Sequence, residues 1–268
     1  MNAKARARVC AEIGEHEWID DWLAAELEPT PSSSYAHILA ARGGSRERFE
    51  PDMARQETVR WYRDWFEGRG IALDSIDLER LRSLMCVPLD EVSMKVPGAT
   101  DALRWCVEQG LRVVLVTNTL SRGDQEALED WRRFGVADAI HGVVSSHSVG
   151  WRKPHPAIFE RALELAGAEP SDTFHIGDNL IADVWGAQQL GIRAIWRRST
   201  DARGTAAEER ARLDPAAPCR HNSAHLRLDG GHVRCGDCGE HVDVEIRPDA
   251  VVDDLTELPG VVEKWLRA

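Results

Sequence analysis

The chain has 268 residues, enough for one large domain or two small ones with real cores, and its balance of apolar and charged residues is that of an ordinary globular protein. Its formal net charge of −12, with no local basic patch, argues against nucleic acid or an anionic membrane as a partner. No apolar run approaches the roughly 20 residues that span a bilayer, and no signal-peptide core follows Met1, so the expected location is cytoplasmic.

Residues 1–96 read as helical. Val59, Tyr62 and Phe66 share one face, with Trp65 beside them, and Leu78, Leu81 and Met85 repeat the pattern. Pro29, Pro31 and the serines at 32–34 mark a break, and no run here has the character of a strand. The texture changes after Pro97-Gly98. Thr100 is placed to cap a helix ending at Gly110. An apolar strand over 111–118 follows, then a helix over 122–133, a strand over 142–145 and a helix over 156–166. A strand over 173–177, a helix over 180–190 and a strand over 192–196 complete the run. This alternation predicts an α/β fold, a doubly wound parallel sheet with helices on both faces, over residues 97–199. Residues 200–246 break the rhythm with a polar segment bearing Cys and His. Residues 247–268 supply a last strand and helix.

In such a sheet ligands sit beyond the carboxyl ends of the strands. Three of these ends carry chemistry. Thr117 and Asn118 offer a hydroxyl, an amide and nearby backbone N–H groups to a phosphate oxygen, or they simply cap the next helix. Lys153 stands in the Pro-flanked loop Gly150-Trp151-Arg152-Lys153-Pro154-His155-Pro156. A fixed ammonium there neutralises a phosphate and a nearby carboxylate, unless it is an ordinary solvated lysine. The only other lysines are Lys4, Lys95 and Lys264, in a chain that otherwise uses Arg. In Phe174-His175-Ile176-Gly177-Asp178 an apolar strand ends in Gly-Asp, and Asp183 follows in the first helical turn. Gly177 lets backbone approach a ligand, Asp178 offers a hard oxygen to Mg²⁺, and Asp183 holds the ion or a water bound to it. The alternative is two helix-opening acids favoured by the helix dipole.

Together these pieces resemble the haloacid dehalogenase superfamily. Thr117 and Asn118 match its second motif, Lys153 its third, and Gly177-Asp178 with Asp183 its fourth. The sequence around Lys153, Val149 to Phe159, is also in the family's style. The resemblance covers everything except 200–246. It implies that residues 1–96 form a helical cap over the site. It also implies Mg²⁺-dependent hydrolysis of a small phosphorylated metabolite through an aspartyl-phosphate intermediate. On that reading Lys153, Asp178 and Asp183 are catalytic, Thr117, Asn118 and Lys153 bind substrate, and Asp178 and Asp183 hold the metal.

The family's first motif, an apolar strand ending in Asp-x-Asp, has no counterpart before the cap. The segment Val9-Cys10-Ala11-Glu12-Ile13 has only Glu12. Asp20-Asp21 lies in a helical run, and Asp253-Asp254 lies past the last strand, where a helix-opening role fits better. In the family this strand is central, so its absence leaves two rows of backbone groups to satisfy. Three outcomes are open: the strand lies upstream of Met1, another segment fills its place in a non-catalytic binding or regulatory protein, or its two neighbours close up and pair. The chain as it stands is expected to be inactive.

Cys219-Arg220-His221, then Cys235-Gly236-Asp237-Cys238, with a hairpin signal at Asp229-Gly230-Gly231 between them, has the pattern of a zinc ribbon. Cys219, His221, Cys235 and Cys238 would close a structural Zn²⁺ site, with His225 as the alternative fourth ligand and His232 and His241 less apt. Acidic residues outnumber the local arginines, so the ribbon suits a protein partner or a sheet-edge brace rather than nucleic acid. Cys10, Cys86 and Cys106 read as small buried hydrophobes.

Overall fold

The computed structural model describes residues 3–15, 63–71, 78–119, 121–198, 226–229, 232–235, 241–242 and 246–267. Helix α1 (Ala3–Ile13) buries Ala5, Arg6, Val9 and Cys10, an i, i+4 stripe along one face. That stripe meets helix α2 (Leu78–Met85) and the helical turn at 63–67. Val9, Cys10, Trp65, Phe66 and Leu81 form one apolar cluster, so the face read from Phe66, Leu81 and Met85 is the packed one.

Helix α3 (Ala99–Glu108) leads into strand β1 (Val114–Thr117). Its N-cap is Gly98, at φ 73°, so Thr100 lies inside the helix and is not its cap. The Thr100 hydroxyl instead accepts from Lys95 Nζ. Helix α4 (Asp124–Arg133), strand β2 (Gly142–Ser145), a single turn at Ser146–Val149 and helix α5 (Pro156–Ala166) follow. Strand β3 (Phe174–Gly177) opens into a π-helical segment, Leu180–Trp185, that runs into a short α-helix, Gly186–Gln188, where a regular helix was expected. Strand β4 (Arg193–Arg197) comes next.

Strands β5 (Leu226–Asp229), β6 (His232–Cys235) and β7 (His241–Val242) form a small antiparallel sheet. Asp229 pairs with His232 at the tip of the predicted hairpin. Strand β8 (Ala250–Val252) and helix α6 (Leu258–Leu266) close the fold. Asp254 caps the turn before α6 by accepting from Thr256 N, the helix-opening role read from the sequence.

The expected single parallel sheet is found in two parallel pieces. One is β1–β2, the other β3–β4–β8, and among the described residues no strand pairs with the remaining edge of β1 or of β3. Direct closure of the two neighbours is therefore not what is seen. Helices cover both faces. Ile158 and Phe159 of α5 join Leu180, Ile181, Val184, Ala194 and Trp196 in one cluster, which also takes in Leu226, Val233 and Cys235 of the small sheet. Ala102, Cys106, Ile195, Val252, Leu258 and Val262 form the cluster on the other face. No described helix is long and apolar enough to cross a membrane.

Candidate active site

The chemistry predicted at three strand ends converges on one pair of side chains. Lys153 Nζ lies 2.6 Å from Asp183 Oδ1, with side chains 11% and 6% exposed. The same ammonium donates to the carbonyl of Val116 in β1 at 2.9 Å. Lysine 153 therefore ties the end of β1 to the segment that follows β3. Two local features bring it there. The Asn118 side chain makes a two-point bridge to the Lys153 backbone, Oδ1 accepting from Lys153 N at 2.8 Å and Nδ2 donating to Lys153 O at 3.1 Å. Pro154 packs against Gly186, where an added Cβ would lie 2.8 Å from the proline ring.

Asp183 is buried, yet its hydrogen bonds are well supplied. Besides Lys153, Oδ1 meets His175 Nε2 at 3.0 Å, and Oδ2 accepts from Asn179 N at 3.0 Å. Burial alone would raise its pKa; the Lys153 charge and the His175 contact overcome that and hold the carboxyl well below the usual carboxylate range. Asn179 caps the π-helical segment, its side chain accepting from Ile181 N and Ala182 N. This turns Asp183 back over the strand end. Gly177 is needed for that contact. A Cβ there would sit 2.2 Å from Asp183 Cγ, so this glycine admits the aspartate side chain rather than a ligand directly.

The other predicted site residues, Thr117, Asn118 and Asp178, differ in what remains open. Thr117 ends β1 half-buried, paired in register with Ser145, and no hydrogen bond of its hydroxyl is found among the described residues. The Asn118 side chain is bonded on both its amide atoms to the Lys153 backbone, so it positions the loop that carries the lysine. Asp178 is turned outward, its side chain 59% exposed, with Arg197 Nη2 at a loose 3.9 Å. Its carbonyl is fixed by the Trp196 indole at 3.0 Å, which makes this tryptophan a support for the site. His175 was not singled out in the sequence. The signal was its place two residues before Gly177, on the same face of β3 and so beneath Asp183. Phe159 meets the His175 ring edge-on at 5.3 Å and holds it in place.

Mg²⁺ takes hard oxygens, commonly one or two carboxylates completed by water and substrate oxygens. Asp178 and the remaining lone pair of Asp183 Oδ2 meet that chemistry as part of a shell. Among the described residues no group of three His, Cys, Asp or Glu gathers as a metal site. Of the proposed zinc ligands, Cys235 is buried at the end of β6 and is not in a disulfide. Cys219, His221 and Cys238, and the alternative His225, lie outside the described residues. Cys10 and Cys106 are buried as expected, and burial pushes the Cys106 thiol up to about 11. Cys86 is only half-buried, with Arg82 Nη1 at 3.9 Å from its sulfur.

A family model described as haloacid dehalogenase-like hydrolase matches residues 8–191, and the chain belongs to that family. It is 35% identical over 98 residues to human haloacid dehalogenase-like hydrolase domain-containing protein 3, covering 37% of this chain and 38% of that protein. It is 30% identical over 105 residues to the glyceraldehyde 3-phosphate phosphatase of Pyrococcus abyssi, covering 38% and 42%. To the ribulose-1,5-bisphosphate 5-phosphatase of Halopiger xanaduensis it is 31% identical over 107 residues, covering 40% and 43%. The chain thus matches less than half the length of each of these relatives. The fold is similar to that of L-2-haloacid dehalogenase from Xanthobacter autotrophicus, with a TM-score of 0.51, 17% identity, and 97% and 93% of the two chains covered.

Proposed function

We propose that the rim formed by Thr117, Lys153, Asp178 and Asp183 is the phosphate- and Mg²⁺-binding part of a phosphomonoester hydrolase acting on a small phosphorylated metabolite. The observation that carries the reading is the Lys153–Asp183 pair. A buried lysine held at the joint between two strand ends, with its counter-ion supplied, is an electrostatic device rather than a surface charge. Relatives named as phosphatases support the substrate class.

In this reading the Thr117 hydroxyl donates to a phosphate oxygen. The Lys153 ammonium offsets the phosphate charge while Asp183 and Val116 fix its position. Asn118 sets the loop that carries the lysine. Asp178 would offer its exposed carboxylate to Mg²⁺, and the remaining lone pair of Asp183 Oδ2 would accept a hydrogen bond from a water in the ion's shell. Bound Mg²⁺ supplies charge neutralisation and orients the phosphate. The attacking carboxylate is not one of these four residues, so the rim accounts for binding and orienting phosphate and leaves the nucleophile to be assigned. In the ribbon, Cys219, His221, Cys235 and Cys238 are proposed to hold structural Zn²⁺ beside the β5–β6 hairpin. One zinc per chain by mass spectrometry under native conditions tests that part, and a metal-free chain with an unchanged melt contradicts it.

The test of the main reading is calorimetric titration of the chain with inorganic phosphate, with and without Mg²⁺. The expected result is Mg²⁺-dependent binding that Asp178→Asn weakens at least tenfold without lowering the melting temperature. Phosphate binding equal in wild type and Asp178→Asn would contradict it.

A further inference from the structure

We propose that Arg197 is the resident counter-ion of Asp178, a positioning residue that holds the exposed carboxylate when no ion is bound, yields its place to a divalent cation and moves its charge toward Asp254. This rests on the reading of Asp178 as a Mg²⁺ ligand and adds a residue that sets how tightly the ion is held. The placement follows from the strands. Gly177 of β3 pairs in register with Trp196 of β4, so Asp178 and Arg197 stand one step further along adjacent parallel strands. Side chains alternate between the two faces of a strand. Phe174 and Ile176 of β3 and Ile195 of β4 belong to the cluster under α3 and α6, and Asp178 and Arg197 follow them onto that face. His175 turns the other way, to Phe159 of α5, and Asp183 with Lys153 meets it there.

The end of β3 therefore carries two cation–carboxylate pairs on opposite faces, and they are built differently. Lys153 and Asp183 touch at 2.6 Å with both side chains largely buried. Arg197 Nη2 stands 3.9 Å from Asp178 Oδ2, too far for a hydrogen bond, with the arginine side chain mostly buried and the aspartate open to water. The next residue shows that this end of β4 can close such a pair. Arg198 grips Asp253 through Nε and Nη2, at 2.5 and 2.6 Å. The looseness belongs to the Asp178 carboxylate alone, because its main chain is pinned. Trp196 Nε1 donates to the Asp178 carbonyl at 3.0 Å, and the next amide, Asn179 N, donates to Asp183 Oδ2 at 3.0 Å. A fixed backbone carrying a carboxylate that faces its cation only at long range suits a ligand that changes partners.

Arg197 has a second carboxylate within reach of its charge. The Thr256 amide and hydroxyl hold Asp254 below the usual carboxylate range, and the Arg197 charge adds to them. Asp254 caps the turn before α6, so the helix fixes its position. A guanidinium keeps its proton in a protein, so it gives up a carboxylate only by moving away or by being outcompeted. Competing for Asp178, Arg197 lowers the affinity of the rim for a divalent cation. Asp254 lessens that cost by giving the released charge a partner.

The test is binding of Mn²⁺ alone, without phosphate, to the full 268-residue chain, read as loss of the free-ion signal in electron paramagnetic resonance. Arg197→Gln is expected to bind Mn²⁺ about threefold tighter than wild type or more, and Arg197→Lys, which keeps the charge, to stay near wild type. The gain should shrink in about 1 M KCl, where charges are screened within about 3 Å, and vanish when Asp178→Asn is added. Asp254→Asn keeps an oxygen to accept from Thr256 N. It is expected to weaken Mn²⁺ binding about twofold or more, and only while Arg197 is present. Affinity unchanged or weakened in Arg197→Gln overturns the proposal, as does a gain that survives high salt or Asp178→Asn. Equal binding in wild type and Asp254→Asn overturns it without any Arg197 variant. Asp178→Asn alone separates the two readings. Mn²⁺ bound at wild-type strength in that variant removes the metal reading, and the role of Arg197 with it. Binding abolished there, with Arg197→Gln unchanged from wild type, removes only the role of Arg197.

Discussion

Lys153 Nζ and Asp183 Oδ1 stand 2.6 Å apart with both side chains largely buried, and through this pair the loop before α5 is locked to the segment after β3. Each member is the main compensation for burying the other. Removing one leaves an uncompensated buried charge, which typically costs about 3–5 kcal/mol. Lys153→Met and Asp183→Asn are each expected to lower stability by about that amount. The double variant should lose clearly less than the two summed, as read by urea unfolding. Additive losses would mean that the pair is not coupled.

The same carboxylate sets an acid limb. Lys153 and His175 face Asp183 and hold its folded pKa below the unfolded value, which is about 3.9 for an aspartate. As pH falls the unfolded chain takes its proton first. The stability from Asp183 is therefore complete above that unfolded value and is lost as pH drops toward the folded one. The stability gap between wild type and Asp183→Asn should be larger at about pH 5 than at about pH 3. An equal gap at both would contradict the assignment.

Gly177→Ala places a Cβ where Asp183 Cγ and Oδ2 now lie. Overpacking of this kind costs about 1–3 kcal/mol. It should also displace Asp183 from Lys153, so Mg²⁺-dependent phosphate binding is expected to fall by more than the stability loss alone accounts for. Binding at wild-type strength in a folded Gly177→Ala chain would show that Asp183 need not be so placed.

A second buried pair anchors the segment before the core. Arg122 Nε lies 2.7 Å from Asp130 Oδ2, with side chains 14% and 6% exposed, while Asp130 Oδ1 accepts from Leu89 N and the Arg122 guanidinium also meets the Val87 carbonyl. Asp130→Ala leaves both the guanidinium and the Leu89 amide without this acceptor. A loss of about 3 kcal/mol is expected, along with faster exchange at the Leu89 amide. Exchange unchanged at Leu89 would remove the anchoring role.

Punctuation made part of the fold legible. Gly142 and Ser145 bound β2, and Pro156 and Gly167 bound α5, where sequence reading and structure agree to the residue. The hairpin at 229–232 is equally plain from its turn residues. The helix after β3 was less legible, because Asn179 binds the amides of Ile181 and Ala182 and winds the segment as a π-turn, a local bond that periodicity does not reveal. Lys153, Asp178 and Asp183 were readable as chemistry, but their division of labour was not. The bridge from Asn118 to the Lys153 backbone is not visible in sequence, and His175 looks like one strand residue among others until Asp183 is seen folded over it.

Metal and phosphate are proposed to meet at Asp178, Lys153 and Thr117. The most direct measurement is the ³¹P relaxation of inorganic phosphate bound to the chain, with Mn²⁺ in place of Mg²⁺. Strong paramagnetic relaxation is expected in wild type and is lost in Asp178→Asn while that variant keeps its melting temperature. Relaxation of the same strength in both proteins, or none in either, would contradict it.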